Sequence, residues 1–220
     1  MKVDADFMKN IVIIGLFYLI GLALLSLGIC LMILSDLGAG PWDALYVGLS
    51  DIIGFTVGSW VFIVGALLII INSVLLKKVP DFSAIITILI IGSFIDFWLL
   101  IVFSTYSVTG MAMRIFLLTA GIVIIGIGIC FKLQSSFARN PVDNLMMALQ
   151  SLSGKSLAVT KTVMEVFILV LAFFIGGPIG IGTIIVTFAI GPLIQIIYPP
   201  VTKFRNRICM TEINKKPTSL

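Results

Sequence analysis

Apolar residues are concentrated in six long runs along the chain, separated by shorter, more polar segments. Each run approaches or exceeds the ~20 residues that a helix needs to cross the hydrocarbon core of a bilayer. The alternation of apolar and polar positions that is typical of membrane β-barrel strands is absent from these runs. We therefore predict an all-α membrane protein with six transmembrane helices. The runs cover Ile11–Leu34, Val57–Leu76, Phe82–Phe103, Ile115–Phe131, Leu157–Ile175 and Ile179–Tyr198.

The composition supports a lipid environment. Hydrophobic residues make up 60% of the 220 residues and charged residues 11%, whereas soluble domains average about 45–50% and about 25%. The mean hydropathy is +1.24. This composition excludes a soluble enzyme, a secreted disulfide scaffold and a nucleic-acid-binding protein as main interpretations, and it makes the lipid bilayer the first partner of the chain.

Basic residues alternate between the two ends of the predicted spans. The segments 35–56, 104–112 and 176–178 contain no lysine or arginine. Because basic loops stay in the cytoplasm, this alternation predicts that both termini are cytoplasmic. The basic residues of the other loops and the tail are Lys2, Lys9, Lys77, Lys78, Lys132, Arg139, Lys155, Lys203, Arg205, Arg207, Lys215 and Lys216.

The chain repeats itself at an offset of 100 residues. The segment Gly40-Pro41-Trp42-Asp43 recurs as Asn140-Pro141-Val142-Asp143, and Gly28-Ile29-Cys30 recurs as Gly128-Ile129-Cys130. Each half contains three predicted spans, and an odd number makes the second half enter the membrane from the opposite face. We therefore predict a 3+3 inverted-topology repeat, with halves at 11–110 and 111–200 and a basic cytoplasmic tail at 201–220.

A short helix is predicted between the first two spans of each half, at Pro41–Ile53 and at Pro141–Leu152. Gly40 or Asn140 provides the N-cap, proline takes the first helical position, and a glycine follows the last turn. Such a helix is about 20 Å long, too short to span the membrane. Two placements stay open: an interfacial helix that lies flat on the membrane, and a re-entrant helix whose N-terminus dips into it.

Several polar residues in or next to these apolar segments are candidates for binding a substrate or an ion. Asp43 and Asp143 occupy the third position of the short helices, where an acidic residue also stabilises the helix start without any further role. Asp96 lies near the middle of the third predicted span, and its repeat counterpart is Gln195. A buried acid of this kind either binds a cation or proton, or locks helices together through hydrogen bonds.

Lys161 and Glu165 lie four residues apart on the fifth predicted span and therefore share one helix face. Their counterparts in the first half are Val61 and Gly65, so the pair breaks the symmetry of the repeat. The alternatives are a structural ion pair and part of a binding site. With Asn140, the set of candidate residues is Asp43, Asp96, Asp143, Asn140, Lys161, Glu165 and Gln195.

No cofactor, metal site or catalytic centre is predicted. The chain has no histidine, and its three cysteines have no C-x-x-C spacing. The glycine-rich segment 176–183 lacks the lysine of a phosphate-binding loop, and a tight outer turn explains it better.

The combination of these motifs resembles the YczE/YyaS/YitT-type bacterial membrane proteins. The resemblance rests on the segment Gly-Ala-Gly-Pro-Trp-Asp-Ala-Leu at 38–45, on Asn-Pro-Val-Asp-Asn-Leu at 140–145, on the Lys161 and Glu165 pair, and on Gly-Ile-Gly-Thr at 180–183. It extends over about residues 11–198 and implies a bacterial cytoplasmic membrane location. It implies no settled activity.

The leading functional hypothesis is a small secondary transporter or permease, with a small-molecule or ion site between the two halves. Alternatives are a substrate-binding membrane subunit that associates with the ATPase of an importer, a channel, and a non-transporting accessory protein. A homo-oligomer is compatible with each. An enzyme and a nucleic-acid partner are not expected.

Overall fold

The computed structural model describes residues 2–135, 137 and 139–210, and the side chains of residues 11–135, 137 and 139–208. In this part of the chain the backbone forms eight α-helices and one π-helical segment, which continues the fourth helix without a break. The elements are α1 (Lys2–Ser35), α2 (Pro41–Ile53), α3 (Val57–Leu76), α4 (Ser83–Asp96) with the π-helical segment Phe97–Val102, α5 (Met111–Ser135), α6 (Pro141–Ser153), α7 (Leu157–Phe174) and α8 (Ile181–Met210).

Six of these helices are long and apolar enough to cross a membrane. They are α1, α3, α4 with its π-helical continuation, α5, α7 and α8. The finding confirms the predicted all-helical membrane protein with six candidate spans. The fourth span is longer than predicted, because α5 runs from Met111 to Ser135 and takes in Arg114 near its start. The Arg114 guanidinium donates to the Asp36 carboxylate at 2.6 Å and so ties this start to the end of α1.

The core of the molecule is the packing of α1 against α5, which glycines bring close together. A methyl group at Gly21 would lie 2.9 Å from the carbonyl oxygen of Gly128, and one at Gly28 would lie 2.7 Å from that of Gly121. Small residues allow this approach between membrane helices, because no side chain separates the two backbones. Gly21 corresponds to Gly121 in the repeat, and Gly28 corresponds to Gly128. Each contact therefore joins a glycine of one half to the repeat counterpart of the other glycine.

The outer helices of the two halves pack differently. In the first half α3 packs along α4: Gly58 and Gly92 meet backbone to backbone, and a methyl group at Gly65 would lie 2.7 Å from the Ile88 side chain. In the part of the chain that the structure describes, α7 and α8 do not pack along each other. Glu165 replaces the glycine of α3, and nothing lies within 4 Å of the position that a methyl group would take at Gly191. The second half is therefore the more open one.

The short helices α2 and α6 have almost the predicted bounds. The Asn140 carboxamide accepts a hydrogen bond from the Val142 amide at 3.3 Å, whereas Gly40 caps α2 without a side chain. Gly54 and Gly154 end the two helices at φ 92° and φ 65°, conformations that favour glycine, and each donates its amide to the preceding turn at 3.0 Å.

The glycine-rich segment after α7 is a turn, as the sequence indicated, and it also contacts α2 and the loop before it. The Ala39 amide donates to the Pro178 carbonyl at 3.0 Å, and the Gly182 amide donates to the Leu37 carbonyl at 2.8 Å. Gly177 touches the Ala44 carbonyl directly, so a side chain at this glycine would push α2 away.

The last helix does not end before Pro199 and Pro200, where the predicted span Ile179–Tyr198 stops. Helix α8 continues through both prolines to Met210. Tertiary contacts explain the continuation: Val201 is buried beside Phe17, and Arg205 donates to the Gln134 carbonyl at 3.1 Å. Residues 211–220 of the predicted tail, including Lys215 and Lys216, lie outside the described residues.

Candidate functional site

A cavity of about 270 Å³ lies between the two halves, and we call it the central cavity. Both short helices begin at it: Gly40, Pro41, Trp42 and Asp43 line it from α2, and Val142, Asp143 and Met146 line it from α6. Helix α7 adds Lys161, Met164 and Glu165. Four residues that the sequence singled out thus meet here: Asp43, Asp143, Lys161 and Glu165.

A second cavity of about 120 Å³, the adjoining cavity, lies on the side of the first half. It shares Trp42, Asp43 and Asp143 with the central cavity, and it is also lined by Asn140. Val61 and Gly65 line this cavity, and their repeat counterparts Lys161 and Glu165 line the central cavity. Five of the seven candidate residues therefore surround one pair of cavities.

Two of the three carboxylates in the central cavity have a lysine partner. Lys161 Nζ lies 3.6 Å from Glu165 Oε1, as the spacing of four residues predicted. Lys132 Nζ reaches from the last turn of α5 to within 3.5 Å of Asp143 Oδ2. Lys132 entered the sequence analysis only as a sign of a cytoplasmic loop. Its role beside Asp143 could not be read from the sequence, since it depends on how α5 meets α6.

Asp43 has no such partner among the described residues. The repeat position that corresponds to Lys132 is Met32, which is buried and apolar. Asp43 belongs to α2, which is not one of the six candidate spans. Burial raises the pKa of its carboxyl, because burial disfavours the charged form. One Asp43 oxygen lies 2.8 Å from the position that a methyl group would take at Gly40, so the glycine leaves room for the carboxylate to fold over the helix start.

Trp42 is a site residue that sequence reasoning missed. Its indole lines both cavities, and its Nε1 is buried with no hydrogen-bond partner among the residues that the structure describes. The signal was present in the repeat, because Trp42 stands where the second half has Val142. An aromatic ring at the cavity offers a flat apolar wall and a face that attracts cations.

Asp96 lines neither of these two cavities. Its carboxylate accepts hydrogen bonds from the Thr56 hydroxyl at 2.6 Å and from the Gly58 amide at 2.8 Å. It therefore stabilises the start of α3 from a position well inside the third candidate span, Ser83–Val102. The close approach of Gly58 to Gly92 brings the start of α3 to this level.

The repeat counterpart of Asp96, Gln195, is exposed on α8 and lines neither cavity. The structure thus separates both residues of this pair from the other five candidates. Within the described residues, no group of three or more acidic or cysteine side chains is arranged to hold a metal ion.

Comparison with known proteins identifies the family of the chain. Residues 14–199 match the Family of unknown function (DUF6198). The chain is similar to the uncharacterized protein YyaS of Bacillus subtilis (strain 168), with 39% identity over 188 residues, which cover 86% of this chain and 94% of YyaS.

The chain is also similar to the uncharacterized membrane protein YczE of the same organism, with 33% identity over 87% of this chain and 88% of YczE. An uncharacterized protein of Haemophilus influenzae is 25% identical over 80% of this chain and 79% of its own length. No solved structure shows significant similarity to the chain. The chain therefore belongs to the family of unknown function DUF6198 and is a membrane protein of the YczE/YyaS type.

Proposed function

We propose that this protein is a small secondary transporter whose substrate binds in the central cavity, between two halves of opposite orientation. One observation carries the proposal: α2 and α6 both begin at one cavity, and an ion pair of α7 lines the same cavity. Secondary transporters built from inverted repeats bind their substrates at such a junction, where interrupted helices present their N-termini.

Equivalent contacts in the two halves support the inverted repeat. Besides the glycine pairs of α1 and α5, the Cys30 thiol lies 3.6 Å from the Ile95 carbonyl, and the Cys130 thiol lies 3.8 Å from the Ile194 carbonyl. The halves are 11–110 and 111–200, and the tail follows. With three spans in each half and basic residues in alternate loops, both termini lie in the cytoplasm of a bacterial cell, and the protein in its cytoplasmic membrane.

Burial at the helix starts supports a re-entrant placement of α2 and α6. Pro41 and Pro141 are buried, whereas the last residues of both helices are exposed. A helix that lay flat on the membrane would expose one face along its whole length. Irregular backbone inside a membrane is stable where it lines a cavity, and Gly40 and Asn140 each line one.

The different packing of the outer helices supports transport by alternating access. The adjoining cavity is narrow where Gly65 packs on Ile88, and the central cavity is wider where α7 and α8 stay apart. In a pseudo-symmetric protein, the opposite state closes the second half and opens the first. The two states together expose one site to each face in turn.

The experiment is thermal unfolding of the purified full-length protein against a panel of metabolites. A compound that binds the folded state in the central cavity raises the unfolding temperature. We expect Asp143→Asn to reduce the shift and Asp51→Asn, an exposed position near the end of α2, to leave it unchanged.

Accumulation of that compound in protein-containing vesicles then tests transport. Uptake that saturates and needs an ion gradient supports a secondary transporter. Uptake that does not saturate indicates a channel, and stable copurification with an ATPase indicates a subunit of an importer. A stabilising compound whose effect is the same in wild type and in Asp143→Asn would contradict the central site.

A further inference from the structure

The central cavity carries one carboxylate more than its cations can balance. Lys161 pairs with Glu165, and Lys132 pairs with Asp143. Asp43 is left, and the positive end of the α2 dipole offsets only about half a unit charge. A full negative charge in an apolar cavity is costly unless a cation or a proton joins it.

Apart from Thr187, the remaining wall of the cavity is mainly apolar. Leu25, Ile125 and Val186 line it from α1, α5 and α8, and Trp42 and Met164 line it next in sequence to two of the carboxylates. Such a wall takes up the apolar body of a ligand, and aromatic and thioether groups suit an ammonium with methyl or methylene groups. A cavity of about 270 Å³ limits the ligand to a small molecule.

We propose that the central cavity binds an organic monocation, an ammonium group on a small apolar body, with its charge at Asp43. This inference rests on the proposed function and adds the class of substrate. The ammonium completes the charge balance that the two lysines leave open, and the Trp42 ring covers its apolar side.

The same arrangement exchanges the cation for a proton. The titratable groups around Asp43 are Lys161 and Glu165 from α7, Asp143 from α6, Cys30 from α1 and Tyr46 from α2 itself. Since burial raises the pKa of Asp43, the empty cavity favours the protonated carboxyl. A bound cation favours the ionised form and releases the proton to solvent. Affinity for the cation therefore rises as the pH rises through the pKa of Asp43, and levels off above it.

The test is isothermal titration calorimetry of the purified full-length protein with three probes of similar size. They are the cation benzyltrimethylammonium, the anion 3-phenylpropionate and the zwitterion phenylalanine, and tetramethylammonium serves as a smaller cation. Each titration is repeated in two buffers that differ in their enthalpy of protonation, since the difference gives the number of protons released. The variants are Asp43→Asn and its matched control on the same helix, Asp51→Asn.

We expect the cations to bind more tightly than the anion and the zwitterion, with release of protons below the pH at which affinity levels off. Asp43→Asn should weaken cation binding by at least about tenfold and abolish the release, while its unfolding temperature without ligand is unchanged or higher. Asp51→Asn should behave like wild type.

Three results would overturn the inference. One is the absence of binding by either cation at millimolar concentration, and another is equal cation binding in Asp43→Asn and wild type. The third is tighter binding of the anion, lost in Lys161→Met, which would reject the cation while leaving the proposed central site intact. Failure of the proposed function itself would show differently, as a stabilising compound whose effect is insensitive to Asp143→Asn.

Discussion

At the scale of single residues, glycines decide how closely α1 and α5 approach. Gly21 and Gly28 face the backbone of α5, whereas nothing lies within 4 Å of the position that a side chain would take at Gly15. We expect Gly21→Val to destabilise the protein by about 1–3 kcal/mol, because the added atoms overlap with backbone that has to shift. Thermal unfolding measures the effect, with Gly15→Val as control. Equal unfolding temperatures for the two variants would contradict the described packing.

Asp96 gives a second prediction, about stability and not binding. Its carboxylate holds Thr56 and the Gly58 amide at the start of α3. Asp96→Ala should therefore cost about 1 kcal/mol, a typical loss for a helix cap, and Asp96→Asn should cost less because its carbonyl oxygen can still accept one bond. Ligand binding should stay at the wild-type level in Asp96→Asn. A loss of binding with unchanged stability would return Asp96 to the candidate site.

The ion pair of α7 gives a third prediction. Lys161 is 45% exposed and Glu165 19%, so removing the lysine strands a carboxylate that water reaches only in part. We expect Lys161→Met to lower stability by less than about 1 kcal/mol, given the exposure of the pair. The double variant Lys161→Met/Glu165→Gln should regain stability, because it leaves no unpaired carboxylate. Additive effects of the two single substitutions on stability would show that the residues do not interact.

Sequence reasoning at this scale identified polar residues in apolar surroundings but not their neighbours. The pair of Lys161 and Glu165 was predicted because both lie on one helix, where spacing fixes the geometry. The contact between Lys132 and Asp143 joins two helices, and so does the contact between Asp96 and Gly58. Such contacts depend on helix packing, which the pattern of a single helix does not contain.

At the scale of elements, the short helices were the most predictable part of the chain. Their starts carry proline and a capping residue, and glycine ends both of them. The end of α8 was less predictable, since Pro199 and Pro200 normally stop a helix. Here Arg205 and Val201 hold the following turns against α1 and α5, so tertiary contacts outweigh the local preference.

The re-entrant placement gives a fourth prediction, for cysteines introduced after Cys30, Cys130 and Cys209 have been replaced. The two variants are Val142→Cys and Leu152→Cys. Val142 lines the central cavity, whereas Leu152 lies on the exposed last turn of the same helix. We expect a bulky, charged maleimide to label the first position slowly and the second rapidly. A bound ligand should slow the first reaction further and leave the second unchanged. Equal, rapid labelling of both would favour an interfacial helix.

At the scale of the whole molecule, the six spans followed from composition and run length alone, because every backbone amide in lipid needs an internal partner. The cavity that both short helices share did not follow from composition and run length. It requires the starts of α2 and α6 to meet at one place, which depends on how the helices pack and not on the pattern of either helix. The unequal packing of the outer helices was visible in advance only as the replacement of Gly65 by Glu165.

We propose that the two halves have opposite orientations, and the site between them depends on this arrangement. Asp51 and Ser151 test it most directly: they lie 100 residues apart at equivalent places in α2 and α6, and both are exposed. In a protein without its native cysteines, Asp51→Cys should react with a membrane-impermeant maleimide added outside cells. Ser151→Cys should react only after the membrane is made permeable. Labelling of both positions from the same face would contradict the inverted repeat and, with it, the site between the halves.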